Sequence, residues 1–463
     1  MISEQQQSTT TQKTSRSPRD LTSGSIVGSI WFLALPMMAT NFIHTMFHVV
    51  DMMYLGRLGP SAIAAVSISG ATMMIPFALI MGIASATTAM VARYYGAGDI
   101  EQASQAAVQS LTIAAIGAIV VSILGAVFAR QLIAIFGVEP DVLALGTSYI
   151  RILFLGVIAM ALQFLGGYIL QAVGDARTAL IIVGGSSFLN ILIDPLLIFG
   201  IWIFPRWEVE GAAVASVFAR VVGCIVVLFV LRCKRTHLHI KFSYMKIKGA
   251  FLKKLLKIGT PSSLQMLVRS TSNIIMMSIV AGFGTIFLAT YGVGIRIDMF
   301  VMMPGFGMAA ATATLVGQNL GAKKPDRAEK CALTAAFYHF IIMTSAGILF
   351  YIFAQDAFRA FNDNPEVLSL GQQYLRIIIF SYPFIAIAVV FNRALIGAGN
   401  TLTPMLLTTS TLYGIQIPAA FLLPKLEFFG GNGLWVAIAG SNIVLGILIT
   451  IIFRRGKWKS IVI

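Results

Sequence analysis

Charge is what this chain has least of. Asp, Glu, Lys and Arg make up 11% of its 463 residues, against 57% hydrophobic residues, and its mean hydropathy is +0.86. A soluble domain is excluded by that balance, and apolar runs of about 20 residues along the whole length imply membrane-spanning helices. Alternating ten-residue segments are missing, which excludes an outer-membrane barrel. Cysteine is scarce too: Cys224, Cys233 and Cys331 form neither a disulfide framework nor a metal-ligand spacing. The five histidines are scattered, so no metal centre and no cofactor are expected. Nucleophile, base and partner constellations are absent, as is any nucleotide loop, and the chain does not read as an enzyme.

What is present is a series of apolar spans, near 26–55, 61–91, 106–128, 143–171, 178–203, 211–231, 255–282, 286–316, 332–354, 369–394, 402–423 and 433–453. About 12 helices follow. Of the 33 Lys and Arg, 22 fall on one side of these spans: the first 25 residues, Arg93, Arg177, the 232–257 and 323–330 loops, and the last ten residues. Five fall on the other: Arg57, Arg130, Arg206, Arg359 and Lys425. Positive-inside logic then puts both termini in the cytoplasm. The net charge of +15 is thus an orientation signal, helped by anionic lipid, and needs no nucleic-acid partner. Residues 1–25 are too long and too Ser/Thr/Gln-rich for the head of a signal peptide and read as a disordered cytoplasmic tail.

Shifted by 225 residues, the sequence matches itself. Pro36 falls on Pro261, Gly59 on Gly284, Gly82 on Gly307 and Gly96-Ala97 on Gly321-Ala322. Ala103 falls on Ala328, Tyr149 and Arg151 on Tyr374 and Arg376, and Gly174 on Gly399; beyond this the register slips, Gly211 pairing with Gly433. Each half holds six spans, so both enter from the same side. The expected fold is an all-α membrane protein of 12 transmembrane helices. They form two six-helix lobes, 26–231 and 255–453, related by a pseudo-twofold axis along the membrane normal. A basic linker, 232–254, joins them and a basic tail, 454–463, follows. Such parallel repeats place a substrate cavity between the bundles and favour alternating access.

Three of the 18 acids lie inside spans: Asp51, Asp194 and Asp298. An ionised carboxylate there must be paired, wetted or protonated. Asp51 lies past the middle of span 1. Asp194 lies ~24 Å along span 5 at helical rise, and Ser216 one turn into the returning span 6. Asn190 is one turn from Asp194 on the same face, and Pro195 frees the Ile191 carbonyl. Together they form an oxygen-rich cluster for H⁺ or Na⁺, with no Lys or Arg expected at that depth and Arg220 about a turn deeper. Pro36 breaks one helix bond in span 1, so a bend and a hinge are expected there. His44 and His48 share a face with Asp51; with Asn41 and Gln163 they are candidates to line the cavity or to bond neighbouring helices. In the second half Asp298 is expected to neutralise an arginine, Arg269 foremost, with Arg296 pointing elsewhere. The structural reading leads for all three.

The segments "LPMMATNFIHTMFHVVDMMYLGRLG", "GAGD", "QAVGDARTA", "NILIDPLLIFG" and "GAAVAS", with "GQNLGAKKPDRAE" and "LIGAGNT" in the second half, resemble the multidrug and toxic compound extrusion (MATE) family. The set looks like its DinF-type branch. That resemblance implies two six-helix lobes and export of organic, often cationic, compounds in exchange for H⁺ or Na⁺. Its coupling site, an Asp on span 1, Asn-x-x-x-Asp on span 5 and a hydroxyl on span 6, lands on Asp51, Asn190, Asp194 and Ser216. A second-lobe cation site is not carried over: span 7 offers Arg269 and span 10 no acid, which leaves room for anionic or zwitterionic substrates.

The expected function is secondary active antiport by alternating access, exporting small organic molecules from a prokaryotic inner membrane. Lipid is the remaining partner, and the chain is expected to work as a monomer. The rivals are a lipid-linked oligosaccharide flippase of the wider superfamily and, further off, a channel.

Overall fold

In a bilayer every backbone N–H and C=O of an apolar run must be satisfied within the run, which leaves the helix as its conformation. The computed structural model describes residues 20–233, 238 and 241–461, and no strand occurs among them. The first bundle comprises α1 (Ile26–Gly56), α2 (Pro60–Gly96), α3 (Ile100–Val127), the short α4 (Ala129–Ala134), α5 (Pro140–Leu155), α6 (Val157–Ala172), α7 (Ala176–Phe199) and α8 (Glu208–Arg232). The second comprises α9 (Gly249–Ala281), α10 (Thr285–Gly321), α11 (Pro325–Ile352), α12 (Ala354–Arg359), α13 (Pro365–Ile378), α14 (Tyr382–Gly397), α15 (Leu402–Thr411), α16 (Ile417–Leu422) and α17 (Gly433–Arg454). Among the described residues eleven helical stretches are long and apolar enough to span a membrane, and α5 with α6, bent by 50°, supply a twelfth if taken as one span.

The starts of the helices carry recognisable signals. Prolines open α2, α5, α11 and α13, where a missing N–H is harmless. Asp99 and Asp175 accept from the Gln102 and Thr178 amides at the heads of α3 and α7. These polar first turns project beyond the apolar core, which is why α3 and α11 begin earlier than hydropathy alone places them.

The repeat is preserved in three dimensions. Helices α2 and α10 are 37 residues each and α3 and α11 are 28 each; α2, α3 and α4 return as α10, α11 and α12 with bounds displaced by the same 225 positions. Gly59 and Gly284 precede α2 and α10 with φ of 109° and 106°, a conformation open to glycine and poorly tolerated by other residues.

The bundles meet where α1 crosses α10 and α2 crosses α9 and α10. Close approach depends on glycine: a Cβ on Gly307 would sit 2.6 Å from the Met38 nitrogen, and one on Gly82 would sit 2.7 Å from the Gly259 carbonyl oxygen. Near the chain termini, Thr314 donates to the Gln171 carbonyl (3.2 Å) and Gln318 to the Ala172 carbonyl (2.7 Å). Of the tail expected up to residue 25, residues 1–19 lie outside the described residues, but 20–25 belong to the fold. Leu21 is buried at 1% exposure. Asn319 donates to the Leu21 carbonyl at 3.4 Å, Lys324 to Thr22 at 2.8 Å, and Arg327 to Ser23 and Gly24 at 2.7 and 3.0 Å. One leucine in a polar stretch anchors it. At Pro36, α1 continues without interruption, and the Pro36 carbonyl accepts from the Thr40 hydroxyl at 2.8 Å.

Candidate functional site

Three helices of the first bundle converge on one buried polar cluster. Asn190 and Asp194 lie one turn apart on α7, and α8 lies close against that helix because Gly211 lacks a Cβ that would press on the Leu197 carbonyl. Ser216 therefore reaches Asn190, whose amide donates to its hydroxyl at 3.4 Å. From α1, Asp51 enters the same space. Asp194 is 0% exposed and Asp51 6%. Their carboxyls lie close enough for each to act on the other. Both Asp194 oxygens, Asp51 Oδ1 and Asn190 Oδ1 receive no donor among the described residues. Buried acceptors without donors are expensive, and an all-oxygen set of this kind suits a proton or a hard cation.

Two cavities adjoin the cluster. One, of about 410 Å³, is lined by Asp51, His44, His48, Met73, Tyr149 and Arg220. The other, of about 200 Å³, is lined by Asn41, His44, Gln163, Tyr168, Asn190 and Arg220. All four cavity candidates thus stand on these walls. They also bond neighbours: Gln163 donates to the Ser186 hydroxyl at 2.7 Å, and the His44 and His48 rings stack edge-on at 4.7 Å. Pro36 lies elsewhere, on a surface groove with Trp31, Phe32 and Arg177.

Arg220 corrects the sequence reading. Expected a turn deeper than the acids, it lines both cavities, close enough to Asp51 for their charges to act on each other. The signal was present, since Arg220 is four residues from Ser216 and shares its helix face. Its long side chain spans the intervening turn. Tyr149, buried beside the acids, was visible only as a repeat match.

A second correction concerns Asp298. No ion pair to Arg269 forms; Asp298 instead accepts from the Tyr374 hydroxyl at 2.6 Å and the Tyr382 hydroxyl at 2.7 Å. Two short hydrogen bonds satisfy the acceptors of this carboxyl without a counter-ion. Asp298 is thus held by two tyrosines. Arg296 is exposed and makes no ion pair among the described residues.

Comparison with known proteins fits this architecture. The family profile described as MatE matches residues 36–196 and 261–422, once in each bundle. A probable multidrug resistance protein NorM of Thermotoga maritima is 27% identical over 429 residues, 92% of each chain. A FAD transporter of Shewanella oneidensis is 26% identical over 401 residues, 87% of this chain and 88% of the other. Among solved structures, a multidrug resistance MATE family transporter of the MOP superfamily in its outward-facing conformation superposes with a TM-score of 0.88. The two are 26% identical, over 96% of this chain and 98% of that one.

Proposed function

This chain belongs to the MatE family of multidrug efflux transporters, and from that premise we propose that it is a secondary active antiporter that exports small organic molecules in exchange for H⁺ or Na⁺, coupled through Asp51 and Asp194. The observation that carries this reading is the pair of neighbouring carboxyls on α1 and α7, buried, short of donors and open to a cavity. Asn190 and Ser216 complete the cation site.

Charge arithmetic supports a single cation. Asp51 and Asp194 ionised beside Arg220 leave one negative charge, which one monovalent cation neutralises. A substrate-loaded cavity facing inward keeps the acids ionised; facing outward, cation uptake neutralises them, α1 and α7 repack with Pro36 as the hinge, and substrate leaves. Each pH unit supplies about 1.4 kcal/mol per proton, roughly tenfold accumulation at one-to-one exchange.

The conformation also fits such a cycle. The inter-bundle hydrogen bonds of Thr314 and Gln318, and those holding residues 21–24, all lie at the end carrying the termini. With both termini cytoplasmic in a prokaryotic inner membrane, as the Lys and Arg distribution indicates, this is the outward-facing state of a protein working as a monomer of the DinF-type branch. A flippase is not favoured, because the relatives matched along nearly the whole chain are named for multidrug resistance. A channel would conduct without counter-flow. The test is efflux from proteoliposomes under separately imposed proton and sodium gradients. Saturable, counter-flow-stimulated flux driven by one of them is expected; flux indifferent to both refutes antiport.

A further inference from the structure

Two guanidinium groups in the second bundle have no counter-ion. Arg269 lies well inside α9 and Arg393 inside α14, and neither makes a hydrogen bond or ion pair among the described residues. Among the described residues no acid pairs with them. Asp298, the one acid of this bundle deep within a span, is taken by Tyr374 and Tyr382. Asp326 and Glu329, at the head of α11, are tied to Lys459 at 3.3 and 2.6 Å.

Their placement points inward. Arg269 is exposed although it lies mid-span, so it meets either lipid or water, and a guanidinium facing lipid is strongly disfavoured. It is close enough to Arg393 for the two charges to act on each other. Arg393 acts in the same way on Tyr168 across the bundle interface, and Tyr168 lines the 200 Å³ cavity of the first bundle. The repeat agrees independently. At the 225 offset, Arg269 takes the place of His44, Arg393 that of Tyr168 and Gln265 that of Thr40, three residues that line that cavity. Two basic groups thus stand at positions equivalent to cavity-lining residues of the first bundle, while Gln265 turns to α15, donating to the Pro404 carbonyl at 3.1 Å and the Thr408 hydroxyl at 2.8 Å.

We propose that Arg269 and Arg393 form a subsite for an oxyanion group, phosphate or carboxylate, of the transported molecule. The planar forks of two guanidiniums match such a group bidentately, and binding it relieves their mutual repulsion. The space between bundles is then bipolar, acidic and cation-coupled on one side, basic on the other. Molecules carrying an anionic group fit it as well as cations do. This inference deepens the exporter reading and rests on it.

The experiment compares carboxyfluorescein, an organic anion, with ethidium, a cation, in phosphatidylcholine vesicles holding wild-type protein, Arg269→Gln, Arg393→Gln, the double variant and the two Arg→Lys variants. The expected result is that wild type transports carboxyfluorescein and that the double variant lowers the carboxyfluorescein-to-ethidium transport ratio about tenfold or more. The lysine variants, which keep the charge, should lose less. An unchanged ratio in the double variant, or wild type that exports ethidium but no carboxyfluorescein, overturns the subsite. A deficit that appears only when phosphatidylglycerol is added places a lipid headgroup there and also overturns it. Failure of the exporter reading looks different: wild type then moves neither dye against a cation gradient.

Discussion

Replacing Asp194 by Asn separates coupling from architecture more cleanly than any other single change. The side chain is 0% exposed, and neither of its oxygens has a donor among the described residues. Two carboxylates with charge centres ~4 Å apart repel by about 4 kcal/mol at an effective dielectric of ~20, and a cation between them removes that repulsion. Asparagine keeps the shape, removes the repulsion and offers Asp51 an N–H donor, so the need for a cation disappears with the charge. Folding stability should be unchanged or higher, since a buried ionisable group has been neutralised. Transport should lose its driving force: where wild type gains roughly tenfold accumulation per pH unit at one-to-one exchange, the variant should only equilibrate substrate. The assay is ethidium flux in proteoliposomes under a one-unit proton gradient and then a tenfold sodium gradient. Folded, inserted Asp194→Asn protein that still accumulates substrate like wild type under either gradient would refute the reasoning.

Other outcomes follow from the same geometry. Arg220→Gln removes the positive charge that acts on Asp51 and should tighten cation binding at the Asp51–Asp194 pair by on the order of 1–2 kcal/mol, roughly tenfold; cation titration of purified protein checks this. Tyr374→Phe should lower stability by about 1.5–3 kcal/mol through loss of a hydrogen bond to a charged acceptor, visible in thermal unfolding, while cation-driven export survives. Gly307→Ala introduces a Cβ against the Met38 backbone and should shift the population away from the state closed at the terminal end, read as longer spin-label distances across α1 and α10. Hydrogen bonds from the Ser23 hydroxyl and then from Thr22 hold the Asp20 carboxyl below its ordinary range. Because that value is depressed, the stabilisation is present at neutral pH and disappears only as pH falls through the lowered value. The protection factor of the Thr22 amide, the unfolded amide's exchange rate over its own at the same pH, should therefore hold at neutral pH and fall as the Asp20 carboxyl is protonated.

Much of this molecule was legible in its sequence, for identifiable reasons. Hydropathy located every span because the bilayer imposes a length on each, and it misplaced the starts of α3 and α11 because their first turns are polar. The 225 offset anticipated the paired helices because it ran through glycines and prolines, which mark backbone geometry. Asn190, Asp194 and Ser216 could be brought together from spacing and depth, since both quantities are measured along a helix axis. What lies around the axis was harder. Asp298 was assigned an arginine because charge suggested a partner, whereas the azimuth of α13 and α14 delivers two tyrosine hydroxyls. Arg220 was set too deep because rise per residue ignores the reach of its side chain. Leu21 escaped notice because a single apolar residue does not register in a window of polar ones.

The central claim is that Asp51 and Asp194 hold the cation that substrate displaces. It is tested most directly by measuring proton and sodium release when substrate is added to purified protein, since mutual displacement at equilibrium must be reciprocal. Wild type should release a cation on binding, and the Asp51→Asn/Asp194→Asn double variant, still binding substrate, should release none. Equal release from the double variant would place the exchanged cation elsewhere and contradict the account.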